Sequence, residues 1–215
     1  LKYSERLNLK NTVFYNLGEL GEDTQWGNVL KNVDTIIHCA ARAHILNEKS
    51  NHPLQEFRKI NCQATLHLAQ EAQAHHVKRM IFISSIGVLG NCSNDTPFND
   101  DTIPNPQLPY AISKLEAEQI LTQSVKQMEL VIIRPPLVYG PGVKGNFNKL
   151  LQLIEKGLPM PLGRVMNKRH FIGINNLVDF IGHCISSHCQ HSQILAPQPP
   201  QSEAPVPLCF LRFQL

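Results

Sequence analysis

The sequence predicts an α/β fold built on a doubly wound parallel sheet. Three observations carry that prediction. Short, nearly continuous apolar runs alternate with longer stretches of helical periodicity. The runs lack the in–out alternation of a strand with one wet face, so they belong to a sheet covered on both sides. Small or glycine-rich stretches follow three of these runs: HCAARAH, SSIGVLGN and RPPLVYGPG. In such a sheet ligands gather beyond the carboxyl ends of the strands, where small side chains let them approach the backbone.

Taken in order, residues 12–15 (TVFY) are the first strand candidate, and a helix is expected near 24–31. Residues 34–39 (DTIIHC) form the second strand. Residues 54–75, rich in Ala, Leu, Gln and Glu with apolar positions at helical spacing, form a long helix. Residues 79–84 (RMIFIS) are the third strand, 110–128 a helix, and 130–134 (LVIIR) the fourth strand. Helices are also expected over 146–156 and 175–188. From about residue 190 proline becomes frequent and periodicity ends, so 190–215 reads as an irregular tail.

The 215 residues suffice for one substantial domain, or for one and part of another. The chain is 42% hydrophobic and 17% charged, with a formal net charge of +3 and both signs interspersed. That balance argues against nucleic acid or an anionic membrane as partner. The longest apolar stretch, around 80–90, is too short to span a bilayer. The opening LKYSERLNLK has no apolar core and does not read as a signal peptide, so a cytoplasmic location is expected.

Six cysteines, at 39, 62, 92, 184, 189 and 209, include no C-x-x-C pair and are read as reduced and mostly buried. The stretch HCISSHCQH gathers His183, Cys184, His188, Cys189 and His191, but its spacing matches no standard zinc pattern and no metal is expected.

One stretch carries chemistry. PYAISKLEAEQIL sets Tyr110 and Lys114 one helical turn apart. A free tyrosine, with a pKa near ~10, is a poor base at neutral pH, and a cation within about 4–6 Å favours the phenolate. The i and i+4 positions share a helix face, so Lys114 is expected to lower the Tyr110 pKa. Ser84 and Ser85, at the end of a buried strand, can donate a hydrogen bond to a reacting oxygen. Alone, the Tyr–Lys spacing also fits an ordinary exposed pair; the serines upstream favour an active site.

These residues, with VDTIIHCAARAH, FRKINCQATLHLAQEA, KRMIFISSIGVLG, VIIRPPLVYGPG and KRHFIGINNLVDFI, occur in one order over roughly residues 11–188. In that order they resemble the extended short-chain dehydrogenase/reductase superfamily, in its branch of NAD-dependent nucleotide-sugar epimerases and dehydratases. The resemblance implies a Rossmann-like sheet domain over 1–140, a substrate-binding region over 141–189, and NAD as cofactor. It implies Tyr110 as acid–base, Lys114 on the nicotinamide ribose, Ser85 on the reacting oxygen and Ser84 beside it at the cofactor. Ala40, Ala41 and Arg42 would line the cofactor groove, Asn61 would brace the site, Pro135 and Val138 would lie near the nicotinamide, and Arg169 would grip the substrate diphosphate. A homodimer through helices 54–75 and 110–128 is also implied.

The family's 4,6-dehydratases carry an acidic pair after the active-site serine or threonine, whereas Ile86 and Gly87 follow Ser85 here. A 4-epimerase or 4-ketoreductase acting on a UDP-sugar is therefore the expected activity. The family's G-x-x-G-x-x-G loop, which cradles the cofactor pyrophosphate at a helix N-terminus, is not among these 215 residues. Asn16 and Leu17 stand where the family often has an adenine-contacting aspartate and an apolar residue. The chain is thus expected to be incomplete at its N-terminal side, and a truncated, inactive remnant or a non-catalytic binding protein of the same fold stays open. So does a sterol- or flavonoid-type dehydrogenase, which Arg169 would argue against because an apolar substrate has no diphosphate to hold.

Overall fold

The computed structural model describes residues 11–43, 50–93, 97–99, 101–143, 152–157 and 168–186, with the backbone of 193–195 and 213–214. Its centre is a four-stranded, all-parallel sheet in the order β1 (Thr35–His38), β2 (Arg79–Ile83), β3 (Glu129–Ile133) and β7 (Gln193–Leu195). Two further strands, β4 (Leu137–Tyr139) and β6 (Phe171–Gly173), pair in parallel beside it, and β5 (Lys168–Arg169) pairs antiparallel with β8 (Phe213–Gln214).

Alternation along the central strands shows why the sheet is covered twice. Met80 and Phe82 of β2, and Leu130 and Ile132 of β3, point to one face. There they meet Leu68, Ala69 and Ala72 of α3 (Ala64–Ala74) and Ala117 and Leu121 of α4 (Pro109–Ser124). Ile81, Val131 and Ile133 point to the other face and meet Leu177 and Cys184 of α5 (Ile174–Ser186). Burying each such aliphatic or aromatic side chain contributes ~1.5–3 kcal/mol. The doubly wound reading is therefore correct, and each parallel step crosses over through a helix, as parallel pairing requires.

Several sequence expectations shift. Residues 12–15 form no strand: Val13 is 73% exposed, Phe14 and Tyr15 are also exposed, and no neighbouring strand completes a ladder for them among the described residues. The expected helix near 24–31 is one short turn, α1 (Gly27–Leu30), pinned by the buried Leu30. The tail is not wholly irregular. Gln193–Leu195 lies ahead of the first tail proline, keeps its N–H groups, and pairs with Val131–Ile133 as the sheet's fourth strand. Residues 152–155 are helical and Lys156 is already in a turn, whereas residues 146–151 of the expected helix lie outside the described residues.

The long helix over 53–74 has a break in its geometry. It runs as α2 (Pro53–Arg58), a π-helical turn (Lys59–Gln63) and α3. Such a turn inserts one residue into the helical repeat and is found frequently at functional sites. Here it carries Asn61 and Cys62, both buried.

Pro109 opens α4 at a position where its missing N–H costs nothing. The other end of α4 is held by α3: Gln73 donates to the Ser124 carbonyl at 3.2 Å and accepts from the Lys126 N–H at 2.8 Å. The helix therefore ends at Ser124, short of the expected Met128.

Among the described residues, no helix is long and apolar enough to cross a membrane, and no group of three or more His, Cys, Asp or Glu could hold a metal ion. His188, Cys189 and His191 lie outside them. Cys62 and Cys184 are buried as expected, whereas Cys39 and Cys92 are exposed.

Candidate functional site

The site forms where β1, β2 and β3 end. The β2–β3 ladder continues past both strands: the Ser84 N–H donates to the Ile133 carbonyl at 2.7 Å, and the Ile86 N–H to that of Pro135 at 3.0 Å. This extension brings Ser84 and Ser85 alongside Pro135. Ser85 caps a 3₁₀ turn (Ile86–Leu89), its Oγ accepting from the Gly87 N–H at 3.1 Å. Its hydroxyl hydrogen remains to be donated outward. Ser84 Oγ is buried and has no hydrogen-bond partner among the described residues.

Helix α4 supplies the other groups. Lys114 is only 1% exposed, yet it carries an ammonium. Its Nζ donates to the Ile83 carbonyl at 2.8 Å and stands 4.4 Å from the centroid of the Phe82 ring. Burial pulls the Lys114 pKa down from 10.5 to about 8, opposed by the nearby Cys39, Glu118 and Cys62.

The Tyr110 hydroxyl has no hydrogen-bond partner among the described residues, and burial pushes its pKa up. This corrects the expectation drawn from spacing. Burial sets the direction of the Tyr110 shift, while Lys114 Nζ engages the Ile83 carbonyl and the Phe82 ring. The Tyr110 ring meets Phe57 edge-on, centroids 6.2 Å apart, and the Arg42 guanidinium lies 5.5 Å from the centroid of that same Phe57 ring.

Behind β1, Ala40 is exposed and Ala41 and Arg42 are half-buried, leaving a small-residue approach to the strand end. Asn61 fixes the loop there. Its Oδ1 accepts from the Arg42 N–H at 2.8 Å, and its Nδ2 donates to the Arg42 carbonyl at 3.2 Å and to Ser113 Oγ at 2.9 Å. Deeper in, His38 at the end of β1 bonds Thr65 of α3 at 2.9 Å and stacks on Phe82. Burial drops its pKa to about 4, with Lys114 adding to the effect, so it stays neutral.

Ser84, Ser85, Pro135 and Lys114 thus share one strand end, and Asn61, Arg42 and Tyr110 share one network. Val138 is a different case: it pairs in register with Ile172 and packs on the second core. Arg169 is exposed on β5 and touches none of the others among the described residues.

Sequence reasoning missed Ser113, Phe57, Phe82 and the buried ion pair of Glu118 with Arg134, 2.5 Å at its shortest. One signal was present. Ser113, Lys114, Ala117, Glu118 and Leu121 share the inward stripe of α4, so three polar residues stand where a core-facing helix wants apolar ones.

The donor set fits the polyol and amide end of a nucleotide cofactor. It offers an unpartnered buried serine hydroxyl, an ammonium with donors to spare, and small residues at a strand end.

Comparison with known proteins agrees. The chain belongs to the NAD dependent epimerase/dehydratase family, which matches residues 1–193. It is similar to a UDP-glucose 4-epimerase of Vibrio cholerae, with 43% identity over 183 residues covering 83% of this chain and 56% of that protein. It is also similar to an N-acetyl-alpha-D-glucosaminyl-diphospho-ditrans,octacis-undecaprenol 4-epimerase of Escherichia coli O157:H7, with 28% identity over 170 residues, 77% of this chain and 49% of the other. Among solved structures it is similar to MoeE5 in complex with UDP-glucuronic acid and NAD, at a TM-score of 0.71 and 25% identity, covering 83% of this chain and 60% of MoeE5. The chain therefore spans about half to three fifths of the length of these relatives.

Proposed function

We propose that this chain carries the acid–base centre of a nucleotide-sugar 4-epimerase that acts on a UDP-sugar with NAD. The observation that carries the reading is the gathering of Ser84, Ser85 and Lys114 at the end of β2, on the side of α4 that also bears Tyr110. Identity of 43% to a UDP-glucose 4-epimerase supports the UDP-sugar.

NAD, when bound, would supply the hydride acceptor at the sugar's C4. The chain's own groups do the rest. Burial raises the Tyr110 pKa in the cofactor-free chain, and the positive charge of bound NAD would favour the phenolate. In that form Tyr110 takes the proton of the 4-hydroxyl and returns it as the hydride comes back to the other face of the 4-keto sugar. Ser85, with one lone pair committed to the Gly87 N–H, donates its hydroxyl hydrogen to the C4 oxygen. Lys114 holds ribose hydroxyls and Ser84 takes a cofactor hydrogen bond. Ala40, Ala41 and Arg42 line the groove, with Asn61 bracing that loop, and Pro135 and Val138 flank the nicotinamide. Arg169 grips the diphosphate, for which a guanidinium fork is suited. Residues 1–140 form the cofactor side and 141–189 the substrate side. No carboxylate follows Ser85, so loss of water from the sugar ring has no base there.

The test is to incubate the purified chain with NAD and UDP-glucose or UDP-N-acetylglucosamine and to follow the anomeric protons by NMR. The C4 epimer is expected, with a loss of roughly a hundred-fold or more in Tyr110→Phe. A chain that binds NAD yet makes no epimer, or a Tyr110→Phe variant that turns over at the unmodified rate, would overturn the reading. Consumption of NADH with a 4-keto sugar and no epimerisation would assign a ketoreductase instead.

A further inference from the structure

We propose that Ser113 is the positioning residue for Tyr110, tying the first turn of α4 through Asn61 to the loop that follows β1. The inference rests on the reading of Tyr110 as the acid–base group.

Ser113 lies in the middle of the catalytic stretch, 0% exposed. A serine inside a helix is a poorer helix former than alanine by a few tenths of a kcal/mol, and Ala111 and Ala117 occupy the same buried side of α4. The hydroxyl is used twice. Ser113 Oγ donates to the Tyr110 carbonyl at 2.8 Å and accepts from Asn61 Nδ2 at 2.9 Å. Asn61 spends its remaining amide groups on both main-chain groups of Arg42. One relay of buried and part-buried hydrogen bonds therefore runs from the loop after β1, through the π-helical turn, to the backbone of the acid–base tyrosine.

The π-helical turn makes this possible. The inserted residue lets two consecutive side chains of one helix meet the same residue of α4: Asn61 reaches Ser113 Oγ, and Cys62 Sγ reaches the Ser113 carbonyl at 3.1 Å. Phe57 adds a parallel link, its ring lying between the Arg42 guanidinium and the edge of Tyr110. Arg42 and Tyr110 are thus joined through both main chain and side chain. Removing the Ser113 hydroxyl leaves an Asn61 N–H without a partner in a site closed to water. That unpaired donor loosens the Asn61 side chain and weakens its two-point hold on Arg42.

The experiment is a phenolate absorbance titration of Ser113→Ala, with Tyr110 read as the difference from the same chain carrying Tyr110→Phe, since the sequence has four tyrosines. Loosening the first turn opens the phenol to water, so its titration is expected to move down toward the ordinary ~10. In turnover assays kcat is expected to fall about ten- to a hundred-fold while KM for the UDP-sugar stays within about two-fold, the mark of a misplaced reacting group. Ser113→Cys, nearly isosteric with a weaker donor, is expected to shift the titration by a smaller amount in the same direction, and it carries the test if Ser113→Ala does not fold. An unchanged Tyr110 titration in the folded variant overturns the inference, whether or not the chain turns over. A shifted titration in a chain that makes no epimer overturns the proposed function and leaves the coupling standing.

Discussion

Lys114 Nζ reaches the Ile83 carbonyl at 2.8 Å and sits over the Phe82 ring at 4.4 Å, an ammonium closed off from water with no carboxylate in contact among the described residues. The acid one turn further along the same buried stripe, Glu118, is occupied by Arg134. The main-chain oxygen and the ring face offset only part of the lost hydration, which is why burial pulls the Lys114 pKa down to about 8.

That arrangement predicts a gain in stability from a catalytically damaging change. The folded pKa of about 8 lies below the unfolded 10.5, so unfolding takes up a proton between these values. Stability therefore rises with pH from about 8 to 10.5, and below about 8 the full penalty of ~3 kcal/mol applies. Lys114→Met removes the charge and keeps the volume. After loss of the Ile83 hydrogen bond, worth ~1 kcal/mol, it should stabilise the cofactor-free chain by ~1–2 kcal/mol at neutral pH and flatten the alkaline rise. Urea unfolding of both proteins across that range measures it. A variant less stable than the parent, with the alkaline rise intact, would contradict the account.

His38 predicts the acid limb. Its pKa falls from 6.5 to about 4 through burial, with Lys114 adding to the effect. The stability it confers by staying neutral is present above 6.5 and is lost as pH falls toward about 4, by up to ~3 kcal/mol. His38→Gln keeps a polar group near Thr65 and cannot protonate. Its unfolding midpoint should fall less steeply than the parent's between those pH values. Parallel slopes in the two proteins would place the acid sensitivity in the carboxylates instead.

The sheet was legible because Met80, Phe82, Leu130 and Ile132 on one side and Ile81, Val131 and Ile133 on the other make β2 and β3 apolar after their charged first residues, Arg79 and Glu129. The strand ends marked the site for the same reason. The π-helical turn was not legible, since one added residue in 53–74 leaves the helical spacing of apolar positions almost unchanged. Nor was the direction of Lys114, because helical spacing sets which residues share a face and not which acceptor a long side chain finds. The Tyr110 pKa was therefore expected to fall and instead rises. The fourth strand hid in a proline-rich segment whose overall composition outweighed three residues, Gln193–Leu195.

Arg134 closes the end of β3 onto α4, donating through Nε and Nη2 to both oxygens of Glu118, with both side chains buried. Removing one partner leaves a charge with no solvent and no counterion. Glu118→Ala should cost ~3–5 kcal/mol, whereas replacing both partners with apolar residues, as in Glu118→Leu with Arg134→Met, should recover most of that loss. Chemical denaturation of the single and double variants decides. A double variant as unstable as the single one would mean that the pair contributes through more than mutual neutralisation.

Strand β4 runs tightly against the start of α5. Gly140 follows β4, and a Cβ built there would collide with Ile174 Cγ2 and stand 3.1 Å from Ile174 Cβ. Ile174 is the first residue of α5, whose Leu177 and Cys184 close the second core, so it cannot retreat without moving that helix. Gly140→Ala should cost ~1–3 kcal/mol by overpacking. Ile174→Ala removes the colliding methyl and should be nearly harmless by itself, because the side chain is already 37% exposed. If the collision is the cause, the double variant is more stable than the sum of the single changes predicts, with a coupling of ~1 kcal/mol or more. Additive effects would trace the loss at Gly140 to its backbone, whose φ of +158° borders the range that side chains avoid, and not to Ile174.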